Sequence, residues 1–473
     1  MSIALIDHST LSSVQRVLGQ IEVKDKSSID GDLSAFEQFI YALLFYNDWI
    51  ALDDYIIEYS ENRKKEFSFI DFIDPNDYNG NEISQKSLEK ANQFYPRIEG
   101  GEFADEAFRE FFQILDINIR CTWDISNSLY YLTLKMLGDA GGYEFKKYGE
   151  ICHLIFSELT ELRKSGHRRD TSCTYIDRYG TQINPTNYKI PNAKHGNGET
   201  NGISSGLYGF IAAINWISFK SIYYTSFAEY LKADSLIHPI RQNFQMYYLG
   251  KIKQFGHNYI EGILHHFDKR VSEEIDLVNA QQNSNIISVS IPNFLTYIIA
   301  KTNDPSEIIS YALELRETQE FVQAREQLGV IQNYFDQGKN LLANKEKVKI
   351  EESLSSTFNE IRRTYYVPVN TGDNTSKLIT NINTAGSVFG LPNISQIIDQ
   401  SKVPNIVSRL MNRKSFSVIY RNLSKELLQV QSLGKYYDLL TQKVSVNDQL
   451  RTYNPKAESP VYQDSHSSWK SPM

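Results

Sequence analysis

The first fifty residues combine short apolar runs with helical spacing, which predicts a mixed α/β start to the chain. Ser2 to Ile6 is a short apolar run that ends at a turn, as a strand would. A helix is expected next, over Leu11 to Leu18. Apolar residues at helical spacing predict a second helix over Leu33 to Tyr46, and Trp49 to Leu52 is a candidate second strand.

Helical spacing dominates the rest of the chain. The best-defined helix start is Asp304-Pro305-Ser306-Glu307, where an Asp cap precedes a first-turn Pro and a Glu three residues after the cap. Ile287 to Ile291 alternates and is a candidate isolated strand. The predicted helices cover Ser84 to Phe94, Ala104 to Leu115, Tyr143 to Leu162, Leu207 to Ala233, His238 to about Asn279, Asn293 to Ala300, Asp304 to about Tyr365, and Ile394 to Leu450. We therefore predict a mainly α, multi-helical protein with a small mixed α/β segment at the N-terminus.

A chain of 473 residues is longer than one hydrophobic core usually supports, so two or three domains are expected. We place a mixed α/β region at 1–115 and a helical central domain at 116–365, with a long polar loop at 165–205. An Asn-, Thr-, Ser- and Gly-rich linker opens the C-terminal helical region at 366–450, and 451–473 is predicted to be a disordered tail.

Composition favours a soluble, cytoplasmic, globular protein. Hydrophobic residues make up 41% of the chain and charged residues 22%. The most apolar run, Gly206 to Phe219, is too short to span a bilayer and is better read as a buried core helix. Three cysteines without a metal or disulfide spacing fit a reducing cytosol, and the first ten residues lack a signal-peptide pattern.

The charge balance restricts the partners. A net charge of −8 repels phosphate backbones, so nucleic acid would need a local basic patch. The 30 Tyr and 25 Phe residues are typical of aromatic cores and of protein interfaces. A protein partner or self-association is therefore expected, without a membrane span.

One helix face carries a candidate metal site. His257, Glu261, His265 and Asp268 follow at i, i+4, i+8 and i+11, which places them within about 80° of one another around a helix. Imidazole and carboxylate together suit zinc, manganese or iron. Because apolar residues occupy the opposite side, the competing reading is an ordinary solvated helix face.

Two cationic groups are candidates for phosphate or anion binding. His167, Arg168 and Arg169 open the polar loop, and the competing reading is a flexible surface segment. His238 and Arg241 bracket Pro239 at a helix start, where N–H groups attract anions. Here the competing reading is a local cap, with Arg241 paired to a carboxylate. A shared phosphate site requires the two groups to meet in space.

The N-terminal strand ends in Asp7, with Ser9 and Thr10 after it. This resembles the first strand of PIN-like nuclease domains, over at most the first quarter of the chain. The resemblance implies that Asp7 helps to hold a divalent metal. Asp48 and Asp53 are the further catalytic candidates, and Glu37 and Asp54 are additional carboxylates, since metal-assisted phosphodiester cleavage needs several on one ion.

Two functions follow from these patterns. The first is a cytosolic helical interaction or effector protein, part of a larger assembly, for which no specific reaction is assignable. The alternative is a metal-dependent phosphodiesterase or nuclease acting on nucleic acid or nucleotides, with a divalent metal as cofactor.

Overall fold

The structure is a computed structural model that describes residues 2–21, 29–95, 97–99, 154–155, 157–172, 174–176, 182–183, 205–252, 259–281, 293–302, 304–364 and 415–429. The strands are β1 Ile3–Ile6, β2 Asp48–Leu52, β3 Asp71–Ile73, β4 Arg97–Glu99, β5 Thr174–Ile176, β6 Gln182–Ile183 and β7 Asp234–Leu236. The helices of the first half are α1 His8–Val17, α2 Ile29–Phe45, α3 Ile57–Glu66, α4 Gly80–Ala91, α5 at 157–164 and α6 Ser205–Leu231. Those that follow are α7 Pro239–Ile252, α8 Tyr259–Gln281, α9 Asn293–Lys301, α10 Ile308–Leu315, α11 Gln319–Asp336, α12 Asn340–Thr364 and α13 Ser415–Gln429.

A four-stranded parallel sheet organises the N-terminal part of the molecule. Its order is β3-β2-β1-β7, so the chain runs outward from β1 in one direction and later returns to the other side of β1. The carboxyl ends of β1, β2 and β7 therefore lie at one edge, which we call the carboxyl edge. β7 comes from the segment assigned to the central region, so the sheet joins chain segments that are far apart in sequence.

Helices cover both faces of this sheet because side chains alternate along each strand. Ala4 and Ile6 of β1 join a core with α1 and α2, whereas Leu5 joins a second core with α4, α6 and α7. Such two-sided burial explains why β1 reads as a continuous apolar run rather than as an alternating one.

The helices from α8 to α13 form a further layer against α2. Phe45, at the end of α2, lies 5.4 to 5.8 Å from the rings of Phe294, Phe321 and Phe416, which belong to three different helices of this layer. These rings are buried. One side of α2 thus faces the sheet and the other faces the helical layer, which makes α2 apolar around much of its circumference.

The structure confirms the predicted fold class, which is mainly α with a small α/β segment near the N-terminus. The run Gly206 to Phe219 lies in α6, and its side chains from Ile211 onward are buried. No helix within the described ranges has the length and apolarity needed to cross a membrane.

Several boundaries differ from the sequence prediction. The first helix begins at His8 rather than Leu11, because Asp7 itself is the cap. Within the predicted loop at 165–205, β5 and β6 pair, and Asp304 caps a 3₁₀ turn that leads into α10. The predicted helix from His238 is described as α7 and α8, with 253–258 between them outside the described residues. Residues 104–115, 287–291, 366–414 and 451–473 also lie outside them, and the predicted domain boundaries stay predictions.

Two glycines give opposite expectations for stability. A Cβ at Gly80 would lie 2.5 Å from the backbone oxygen of Pro75, whereas a Cβ at Gly329, inside α11, would meet nothing within 4 Å. Gly80→Ala should lower the free energy of unfolding by about 1 to 3 kcal/mol, because backbone must shift. Gly329→Ala should raise it by about 0.5 to 1 kcal/mol, because alanine is the better helix former. Denaturant titration measures both, and a neutral Gly80→Ala would contradict the close approach.

Candidate functional site

The carboxyl edge is built around Asp7, the residue that follows β1. Its Oδ1 accepts hydrogen bonds from the backbone N–H of Thr10 at 2.9 Å and of His238 at 3.1 Å. The first bond caps α1, and the second reaches the residue that precedes α7. One carboxylate thus binds the starts of two helices, because both strands end at the same edge.

Arg241 completes this centre from the first turn of α7. Its Nη1 donates to Asp7 Oδ2 at 3.0 Å, and its Nε and Nη2 donate to Glu158 Oε2 of α5 at 2.9 and 2.7 Å. All three side chains are 1% exposed or less. Burial alone would lower the pKa of Arg241, but the charges of Glu158 and Asp7 outweigh it and raise that pKa, so the guanidinium is permanently charged.

Helix α1 buries a polar stripe against α5. Ser9 Oγ donates to Glu158 Oε1 at 2.8 Å and Ser12 Oγ donates to Glu161 Oε1 at 2.6 Å. The two serines and the two glutamates are each three residues apart, so they lie on matching faces of the two helices. A polar stripe of this kind normally indicates solvent exposure, and here it is buried instead.

His8 is held as a neutral imidazole with its proton on Nε2. Arg63 Nη1 lies 3.0 Å from His8 Nδ1, and since a guanidinium can only donate, Nδ1 must accept. Nε2 then donates to the carbonyl oxygen of Leu52 at 2.6 Å, and the Asp54 carboxylate lies 2.9 Å from the same nitrogen. Burial lowers the pKa of His8, which also favours the neutral form.

Lys220 reaches this edge from the middle of α6. Its ammonium pairs with Asp54, and the two side chains are 2% and 12% exposed. The rings of Trp216, Tyr223 and Tyr224 surround it at 4.7 to 5.2 Å from Nζ. Burial lowers the pKa of Lys220, opposed by Asp54. Burial would raise the pKa of Asp54, but Lys220 and His8 hold it well below its usual range, so Asp54 is ionised.

His167 lies at the rim of this group, and two arginines follow it in the chain. The His167 ring lies 5.1 Å from Trp216, one turn before Lys220 on α6, and 5.9 Å from Phe219, the residue directly before Lys220. Arg168 and Arg169 follow His167 and are exposed. Burial, followed by the charge of Lys220, lowers the pKa of His167, which favours the neutral imidazole.

The two predicted anion-binding groups differ in their surroundings. Arg241 pairs with Asp7 and Glu158, and the Nδ1 of His238 accepts from the N–H of Ile240. These contacts correspond to the competing interpretation, in which His238 caps the helix and Arg241 pairs with a carboxylate. Of the other group, the His167 ring lies against Trp216 and Phe219 of α6, and Arg168 and Arg169 are exposed. A phosphate shared by both groups would have to displace buried carboxylates.

The predicted catalytic carboxylates do not converge. Asp48 starts β2 beside Ile3 in the strand register, at the amino end, whereas Asp7 lies beyond the carboxyl end of β1. Asp53 pairs with Lys64 and accepts from Ser60, and Glu37 binds the start of α9. Asp7 binds Arg241. Within the described ranges, no group of three or more His, Cys, Asp or Glu side chains is placed to hold a metal ion.

The helix-face metal candidate is only partly described. His257 lies outside the described residues, and Glu261 is described only as a residue of α8. His265 is exposed, and Asp268 accepts a hydrogen bond from Asn293 at 3.0 Å. The apolar side predicted opposite them is confirmed for Ile263, Phe267 and Val271, which are buried: these are core residues of α8.

Sequence patterns missed four residues of the site: His8, Arg63, Glu158 and Lys220. Only Lys220 carried a usable signal, because a cation inside a strongly apolar helical run must be buried and paired. The others depend on contacts between residues 44 to 149 positions apart, which local spacing does not report.

No protein-family model, curated protein or solved structure matches this chain. The site must therefore be interpreted from its own geometry.

Arg241→Met tests the centre of the site. It leaves two buried carboxylates without their cation, so the free energy of unfolding should fall by about 3 to 5 kcal/mol. Arg421→Met is the matched control, because its pair with Glu360 is exposed, and it should change stability by less than about 1 kcal/mol. Chemical denaturation of both variants measures the difference, and equal losses would contradict the proposed dependence on Arg241.

Proposed function

We propose that this protein binds an anionic small molecule at the carboxyl edge of its sheet, with Lys220 as the principal charged contact. The observation that carries the proposal is the buried Lys220 ammonium, held by Asp54 two residues after β2. The same place offers a charge for binding and groups that can transfer protons.

The position supports this proposal. In open parallel sheets, ligands bind beyond the carboxyl ends of the strands, at the point where the strand order reverses. Here that point lies between β1 and β7, and Arg241 with Glu158 fills it. The neighbouring place, between β1 and β2, is where the polar groups approach the surface, since Asp54 is 12% and Asp53 is 28% exposed.

The charges at this place favour an anion. Two carboxylates, Asp53 and Asp54, are each already paired with a lysine, Lys64 and Lys220. Arg168 and Arg169 add exposed positive charge beside His167. A phosphorylated or carboxylated ligand would be attracted by these two unoffset positive charges, although the whole chain carries a net charge of −8.

The site also holds groups suited to acid–base chemistry. Lys220 is a buried amine with a lowered pKa, and lysines of this kind serve as proton donors or nucleophiles. Asp54 lies between Lys220 and the Nε2–H of His8, and Arg63 fixes that tautomer. Lys220 would supply the proton, and His8 would keep Asp54 ionised.

Binding of inorganic phosphate, pyrophosphate and ATP to the full chain, measured by calorimetry at low salt, tests the proposal. At least one probe should bind saturably, and Lys220→Met should weaken it at least about tenfold, because a charge-assisted contact is lost. Lys86→Met, which removes an exposed lysine, should bind as the wild type does.

Lys220→Met leaves Asp54 without its ammonium, so the Asp54→Asn, Lys220→Met double variant is also needed to keep the fold. Both charges are then absent, and folding should be retained without binding. If all three probes bind equally to the wild type and to the folded double variant, or to neither, the proposed site is wrong.

A protein-interaction function is the second candidate. An apolar cleft of about 160 Å³ lies between α9, the end of α10, α11 and α13, and it is lined chiefly by Phe294, Tyr297, Leu315, Phe321, Ile419 and Leu423. It has room for one or two side chains of a partner or of a second copy. For either function we propose the reducing cytosol as the compartment, because the cysteine spacing indicates it.

The mass of the protein in solution tests the interaction function. If the cleft receives a second copy, sedimentation should give a mass above the monomer, and Leu315→Glu should return it to the monomer by placing a charge in an apolar contact. Leu341→Glu, at an exposed leucine outside the cleft, should leave the mass unchanged. A monomeric wild type that also captures no partner would count against this function.

A further inference from the structure

Two isoleucines at the start of α3 are exposed although they are apolar. Ile57 is 76% exposed and Ile56 is 39% exposed. In the part of the chain that the structure describes, Ile57 is the most exposed of the large apolar side chains. Single exposed apolar residues are common on protein surfaces, so the surroundings of this pair decide how it is interpreted.

The end of α5 is fixed against this pair. The N–H of Ile56 donates to the carbonyl oxygen of Lys164 at 3.0 Å, and a Cβ at Gly166 would lie 3.0 Å from Cγ2 of Ile56. Gly166 has a φ of +69°, the left-handed conformation that turns the chain at this point. Arg168 and Arg169 are only two and three residues beyond this contact, so they are held close to the isoleucines.

Four cations lie beside the isoleucine pair. Arg163, Arg168 and Arg169 are exposed, and among the described residues no ion pair involves any of them. The Lys164 ammonium lies 5.6 Å from the centre of the Tyr59 ring, so it extends toward α3. We call this surface the Ile57 patch, and it consists of Ile56, Ile57, Arg163, Lys164, Arg168 and Arg169.

Helix α5 separates its charges between the core and the surface. Glu158 binds Arg241 and Glu161 accepts from Ser12, and both glutamates are buried. Because these carboxylates bind partners in the core, the cations at the end of α5 are left without a carboxylate from their own helix. The patch is thus locally positive on a chain whose net charge is −8.

Exposed carboxylates near the patch offset part of this charge. Glu58 and Glu61 of α3 are exposed, and Glu61 lies one turn after Ile57. Asp170 directly follows Arg169. The four cations outnumber these three carboxylates, so the patch should attract an anionic surface weakly and reversibly. Neutralising one of the carboxylates should strengthen that attraction.

We propose that the Ile57 patch binds the surface of a membrane that contains anionic phospholipids, with Ile57 inserted among the lipids and the cations against the headgroups. A protein partner of the usual kind would need about 800 Å² of surface on each side. A membrane needs only an apolar insertion and positive charge close to its surface, which two isoleucines beside arginines supply. The inference goes beyond the proposed ligand site, because membrane binding does not require Lys220.

Co-sedimentation of the full chain with vesicles tests the proposal. The vesicles are made of phosphatidylcholine alone, or of phosphatidylcholine with about one-third phosphatidylserine. The protein should sediment with the phosphatidylserine vesicles and much less with phosphatidylcholine alone, because the cations need negative headgroups. Raising the NaCl concentration from about 0.1 M to about 0.5 M should weaken the partition at least about fivefold, since salt screens exposed charges.

The contribution of the cations is measured with a charge-matched pair of variants. Arg168→Gln with Arg169→Gln should lower the partition at least about tenfold, because each cation near an anionic surface contributes a factor of about five. Lys86→Gln with Arg421→Gln changes the net charge equally by removing two exposed cations elsewhere. This control should bind the vesicles as the wild type does.

The contributions of the apolar tip and of the opposing carboxylate have opposite signs. Ile57→Ser should lower the partition at least about tenfold, because the inserted apolar side chain is lost. Leu341→Ser, at another exposed apolar residue, should leave it unchanged. Glu61→Gln should raise the partition about fivefold by removing a repelling charge, and a gain of this kind cannot come from damage to the fold.

Absence of wild-type sedimentation with the phosphatidylserine vesicles would overturn the proposal. So would equal sedimentation of the wild type and the Arg168→Gln, Arg169→Gln variant. Binding to a polyglutamate peptide without binding to vesicles would also overturn it, and would identify an acidic protein segment as the partner.

One further variant separates the patch from the proposed ligand site. The Asp54→Asn, Lys220→Met double variant should bind vesicles as the wild type does, whether or not the small-molecule site is correct. A loss of vesicle binding in the folded double variant would place the lipid contact at Lys220 and overturn the assignment to the Ile57 patch.

Discussion

The contact between Arg241, Asp7 and Glu158 is the interaction on which the rest of the site depends. It joins the end of β1, the start of α7 and the face of α5, three segments that only tertiary folding brings together. Removing water from these charges costs free energy, and only their mutual pairing offsets that cost. The ion triad therefore demands a specific arrangement of the chain, whereas the apolar faces around it would tolerate small shifts.

The triad also changes what the edge of the sheet can do. The place where ligands usually bind in a parallel sheet is filled by the protein's own ion pair. The polar groups that approach the surface, Asp53 and Asp54, lie one strand further along, and Lys220 is buried behind Asp54. Arg63 and Tyr55 complete this neighbouring group, since Arg63 fixes the His8 tautomer and lies over the Tyr55 ring. Lys220 and Asp54 are thus surrounded by buried side chains that contact one another.

Helix α2 links this group to the outer helical layer. At its start, Asp32 pairs with Arg16 near the ion triad, and one turn later Glu37 binds the first N–H groups of α9. Phe45, at its end, packs among three rings of the outer helices. Hydrophobic contacts and the two hydrogen bonds accepted by Glu37 therefore both join the two layers.

The sequence by itself determined the mainly α class, β1 and β2, the burial of Ile211 to Phe219 and the capping role of Asp304, because each depends on neighbours within a few residues. It also singled out Asp7, His167, His238 and Arg241, without their partners. Only the tertiary structure decided that β7 pairs with β1 and that the polar face of α1 is buried. It also decided that Lys220 meets Asp54 166 residues away. The spacing of residues along the chain indicates which face of a helix or strand each side chain occupies. Which side chain lies opposite that face depends on how the helices and strands pack against one another.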